Sequence, residues 1–62
     1  MKNILLVDDD KVVREVITRI LDQHFPSLVK VYHAVDGLDA IRMAEKQKFD
    51  CVVYDLKMPP IS

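Results

Sequence analysis

A parallel α/β fold, ordered strand–helix–strand–helix–strand, is what three features of the 62-residue sequence predict. Apolar runs of strand length recur three times along the chain. Between them lie two stretches whose apolar residues return at helical spacing. Strands that alternate with helices form βαβ crossovers, which are right-handed in nearly all cases and make the sheet parallel.

The first strand, about residues 3–8, is carried by Ile4-Leu5-Leu6-Val7. This run has no polar alternation and suits a strand buried on both faces. It ends on Asp8-Asp9-Asp10. The first helix, about residues 11–24, gathers Val12, Val13, Val16, Ile17, Ile20 and Leu21 into one apolar stripe, with Lys11, Arg14, Glu15, Arg19 and Asp22 mostly on the other side. Asp10 or Asp9 suits its N-cap, where a carboxylate accepts orphan amide protons and favours the helix dipole. Pro26 limits the far end. In the second strand, about residues 28–33, Leu28, Lys30 and Tyr32 alternate with Val29 and Val31, as at a partly wet sheet edge. The second helix, about residues 37–47, has Asp36 as N-cap, Asp39 three residues on, and a narrow stripe of Leu38, Ile41 and Ala44 with Ala40. Phe49-Asp50 turns into the third strand, about residues 50–55, where Cys51-Val52-Val53-Tyr54 suits burial and leads into Asp55.

Composition narrows the class. Nine basic and ten acidic residues give a net charge of -1, so no basic face is implied and no direct nucleic-acid partner is expected. No apolar run approaches the ~20 residues of a membrane span. The start, Met1-Lys2-Asn3-Ile4, is too short in its apolar stretch for a secretory signal. A cytoplasmic chain without membrane contact is the expectation. Hydrophobic residues make up 50%, against disorder by composition. The single cysteine excludes an internal disulfide, and Cys51 inside an apolar run reads as a small core hydrophobe in a reducing compartment. A reactive thiol would need an activating neighbour, and no histidine is near it in sequence. A domain this small buries only about 60% of its unfolded surface and commonly needs a staple or a partner chain.

A parallel sheet puts the carboxyl ends of its strands on one edge, where open α/β sheets bind ligands. Asp8, Asp9 and Asp55 would converge there if the first and third strands are neighbours. Converging carboxylates repel, and a hard divalent cation relieves the repulsion. Magnesium takes one or two carboxylates, keeps several waters and pairs with phosphate, so the cluster fits a Mg²⁺ site for phosphoryl chemistry in which one carboxylate acts as nucleophile. The plainer alternatives stay open. Asp10 reads first as a cap, Asp55 could merely end its strand, and Lys57 is by default a solvated lysine. His24 and His33 have no ligand pattern. A dinucleotide site is a poor fit, because no G-x-G-x-x-G follows the first strand and Gly37 is the sole glycine.

"ILLVDDD", "AVDGLDAI" and "FDCVVYDLKMPPIS" resemble the bacterial response-regulator receiver domain, whose fold is flavodoxin-like. The resemblance runs without a gap from Lys2 to Ser62, with the segments in the expected order and at natural spacing. It implies that Asp55 is the phosphoacceptor, taking a phosphoryl group from a phosphohistidine on a sensor histidine kinase or phosphotransfer protein. It implies that Asp8 and Asp9 bind Mg²⁺, Asp9 directly and Asp8 through water, with Asp55 and the backbone carbonyl of Lys57 completing the protein ligands. Met58-Pro59 matches the loop after the phosphoacceptor, and Asp36-Gly37 the turn into the second helix. The implied role is two-component (phosphorelay) signalling, not enzymatic turnover.

The family pattern is only about half present. Members continue with a third helix, two more strands and two more helices, and these carry a hydroxyl residue, a phosphate-contacting lysine and a switch aromatic. The expectation is therefore a truncated receiver domain, one βαβαβ half of a doubly wound sheet. Its third strand, central in the family's order, becomes an open edge that can template pairing with another chain. A homo-oligomer such as a dimer, an element swap or a complementary half-domain is expected. The alternative function is an inactive half-domain that self-associates through the third strand.

Overall fold

The computed structural model describes residues 1–54, so Asp55 and Lys57 lie outside the described residues. Within that range five elements follow one another: β1 (Lys2–Val7), α1 (Lys11–His24), β2 (Val29–Ala34), α2 (Gly37–Lys46) and β3 (Cys51–Tyr54). The strands form one parallel sheet in the order β2-β1-β3. This is the α/β class expected, with β1 in the middle.

The central position explains the first apolar run. Ile4, Leu5, Leu6 and Val7 are all buried. Successive side chains of a strand point to opposite faces. Leu5 and Val7 join Ala34 in a cluster against which Tyr32, Ala40, Met43 and Phe49 pack. That is the face covered by α2. The opposite face belongs to α1. There Leu6 pairs with His33, whose Nε2 lies 3.5 Å from the Thr18 hydroxyl of α1.

Among the described residues β2 is an edge strand, and its alternation reflects that. Val29 and Val31 are half-buried while Lys30 is exposed, its ammonium 5.1 Å from the centroid of the Tyr32 ring. Tyr32 meets Phe49 edge to face at 5.4 Å. Asp50 fastens the start of β3 to β1. Its amide donates to the Asn3 carbonyl at 2.8 Å, and its carboxylate accepts the Asn3 amide at 2.7 Å.

Three expectations need correction. Cys51 is exposed, not a core residue, and Val52 and Tyr54 are exposed with it. The cause is coverage: among the described residues α2 packs chiefly on β1 and β2 and α1 on β2, which leaves β3 at the margin of the helical layers. α2 meets the sheet through the buried Gly37 and the half-buried Ala40 and Met43, while Leu38 and Ile41 are 54% and 44% exposed. Small residues let the helix approach β1 closely, which turns the larger ones outward. In α1, the half-buried positions are Arg14, Ile17, Thr18 and Leu21. Val12, Val16 and Ile20 remain exposed, and Arg14 turns toward the sheet instead of away from it.

Candidate functional site

The carboxyl end of β1 carries three consecutive acids in three different environments. Asp8 is buried, only 4% exposed. Its amide donates to the carbonyl of Ala34 at 3.1 Å, and its Oδ1 accepts the Asp10 amide at 2.9 Å. Arg14 Nη1 donates to its backbone carbonyl at 2.5 Å. Asp9 is exposed. Asp10 is the N-cap of α1, accepting the amides of Val12 and Val13 at 2.9 and 3.4 Å. Of the two acids that suited the cap, the structure assigns the role to Asp10, which leaves Asp9 uncommitted to the helix.

The same edge receives α2. Asp36 caps it by accepting the Asp39 amide at 2.8 Å, and the Asp39 carboxylate reaches back to the Val35 amide at 3.1 Å. This is close to a capping box, shifted one residue outward.

β1 and β3 are neighbours, with Val7 opposite Tyr54. The strand ends that precede Asp8 in one case and Asp55 in the other are therefore level. Among the described residues, no group of three or more His, Cys, Asp or Glu side chains is placed to hold a metal ion. Asp8 and Asp9 sit together at the edge; the other two residues named as ligands, Asp55 and Lys57, lie outside the described range. The donor chemistry present suits magnesium, which needs no more than one or two carboxylates from a protein and completes its shell with water and phosphate oxygens.

Both histidines are engaged elsewhere: His24 Nδ1 lies 2.9 Å from the Ile20 carbonyl, and His33 meets Thr18. The Tyr32 hydroxyl is held below its ordinary pKa, first by hydrogen bonding with Gln47 and then by Lys30. An open, mainly apolar cleft of about 720 Å³ lies at the opposite end of the sheet, lined by Met1, Phe25, Leu28, Asp50 and Cys51 among others. It shares no residue with the acidic edge. The residue that sequence reasoning missed is Arg14. Its one signal was a cation lying six positions after Asp8, within reach of the acid-rich turn.

The family described as the response regulator receiver domain matches residues 4–62. Among curated proteins, the chain is 38% identical over 60 residues to a probable transcriptional regulator, ycf29, of Porphyra purpurea, an alignment spanning 95% of this chain and 27% of that protein. It is 29% identical over 62 residues to the transcriptional regulatory protein HptR of Staphylococcus aureus strain NCTC 8325, spanning 95% of this chain and 23% of that protein. The chain thus spans about a quarter of the length of these relatives. No solved structure gives a significant match.

Proposed function

The chain belongs to the response regulator receiver domain family, and from that premise we propose that Asp55 is the phosphoacceptor of a two-component relay. In the step proposed, an Asp55 carboxylate oxygen attacks phosphorus, the P–N bond of a partner's phosphohistidine breaks, and its electron pair returns to the imidazole, which takes up a proton. Asp8, Asp9, Asp55 and the backbone carbonyl of Lys57 would hold Mg²⁺. When bound, that ion supplies neutralisation of the charge on the transferring phosphoryl group.

The single observation that supports this reading most is the parallel pairing of Val7 with Tyr54, which makes the ends of β1 and β3 level at one sheet edge. Asp8 and Asp9 follow the first of these residues and Asp55 the second. The chain's own residues divide the work. Asp10 is spent on the helix cap, Asp8 is fixed in the turn, and Asp9 is free to face a ligand. The partner is a sensor histidine kinase or phosphotransfer protein. No described helix is long and apolar enough to cross a membrane, and a cytoplasmic location goes with this role.

The test uses a small phosphodonor such as phosphoramidate with Mg²⁺ present. Wild type is expected to take up one phosphoryl group and Asp55→Asn none, read by intact mass. Undiminished labelling of Asp55→Asn would overturn the assignment.

A second reading is favoured by one specific observation, the exposure of Cys51, Val52 and Tyr54 on β3. In it the site residues are idle and the chain self-associates through that strand. It predicts an oligomer, weak Mg²⁺ binding and no labelling of wild type.

A further inference from the structure

Asp8 is the last rung on which β1 and β2 are joined, because its amide donates to Ala34. In a regular parallel ladder the carbonyl of the same residue would next accept the amide two positions further along the partner, here that of Asp36. That rung is absent. β2 ends at Ala34, and Asp36 instead begins α2 as its N-cap. The Asp8 carbonyl accepts from Arg14 Nη1.

The guanidinium is committed to this place. Its Nε is buried and finds no hydrogen-bond partner among the described residues. A solvated arginine would avoid that loss. Arg14 forms no ion pair among the described residues, so its hold on the acidic turn runs through the backbone carbonyl. Asp8 is thereby fixed at three points: its amide by Ala34, its carbonyl by Arg14 and its carboxylate by the Asp10 amide. The next residue in the chain is Asp9.

We propose that Arg14 is a positioning residue for the acidic edge, standing in for the missing β-rung and fixing the turn that presents Asp9 to Mg²⁺. The proposal rests on the reading that this edge binds Mg²⁺. Groups that orient metal ligands from behind typically contribute about 10–100-fold in metal affinity. Lysine keeps the charge and can still donate to the carbonyl, but lacks the planar fork.

The experiment is a Mg²⁺ titration of the full chain followed through the backbone amides and the Arg14 Nε–H by NMR. Arg14→Met is expected to raise the Kd about tenfold or more while the amide pattern of β1 is kept. Arg14→Lys should recover most of the loss. An unchanged Kd in Arg14→Met overturns the proposal, and so does a lower one, which would mean that the cation only repels the metal. If Arg14→Met does not fold, wild type decides. The Arg14 Nε–H signal should move with the same midpoint as the Asp9 amide, and a stationary signal overturns the proposal. A titration in which neither the Asp9 nor the Asp55 amide moves overturns the Mg²⁺ reading itself, and the Arg14 proposal falls with it.

Discussion

Asp8, Asp9 and Asp10 are chemically identical neighbours that the backbone sends in three directions. Asp10 has extended dihedrals (φ -94, ψ 112), which aim its carboxylate at the first free amides of α1. This cap should be worth about 1 kcal/mol, within the 0.5–2 kcal/mol usual for such residues. Asp10→Ala is expected to lower the urea midpoint accordingly, and Asp10→Asn, which can still accept, should lie close to wild type. An alanine variant as stable as wild type would mean that solvent serves those amides equally well. The cap was legible in the sequence because capping is local: an acid followed at once by a helical pattern suffices. Asp36 was legible for the same reason. Arg14 was not, because helical periodicity counts a charged residue as outward, and only the end of β2 at Ala34 creates the unpaired carbonyl that draws it in. Half of the candidate site, Asp8 and Asp9, was readable as acids after a buried strand. That the end of the third strand lies level with them depends on β1 and β3 being neighbours, with Val7 opposite Tyr54, which strand sequences alone do not determine.

Between elements, the link from α1 to β2 shows how the chain turns without glycine. α1 ends with Phe25 as C-cap, and the Leu28 amide donates back to the Phe25 carbonyl at 3.1 Å. Phe25-Pro26-Ser27-Leu28 is therefore a hydrogen-bonded four-residue turn. Proline suits its second position, and a positive φ at the third is the mark of type II, which favours glycine. Ser27 occupies that third position at φ 63. A side chain held there carries strain of about 1 kcal/mol or more. Ser27→Gly is expected to stabilise the fold by roughly 0.5–1 kcal/mol, less than the full strain because glycine also loosens the unfolded chain. The check is the urea midpoint at fixed protein concentration, and a midpoint that stays or falls would show no strain to release. Element order could be read from apolar runs because those runs are short and bounded by Pro, Asp and Gly. The faces of the helices could not. Six apolar residues in α1 form a stripe wider than the sheet covers, and the sequence does not say which part faces inward.

Across the whole molecule, the described core is narrow: Ile4, Leu5, Leu6 and Val7 from one strand, with Ala34 beside them. Around it, Val12, Val16 and Ile20 on α1, Leu38 and Ile41 on α2, and Val52 and Tyr54 on β3 remain exposed. Scattered exposed apolar residues are ordinary, but an uncovered strand is a different matter, since its free amides and carbonyls form a template for another strand. β3 has β1 on one side and no described strand on the other. Two copies meeting at that edge about a twofold axis would pair their β3 strands antiparallel and continue the sheet from one chain into the next. The self-associating reading therefore predicts a dimer mass by light scattering that rises from monomer with concentration. Val52→Lys should restore the monomer, because a lysine on an edge strand opposes pairing and would face its own copy across the axis. Loss of the dimer with retained circular dichroism would place the interface on β3. A dimer unaffected by Val52→Lys would move it to the exposed faces of α1 or α2. A monomer at every concentration would remove self-association as an account of the chain and leave the phosphoacceptor reading to stand on the labelling of Asp55.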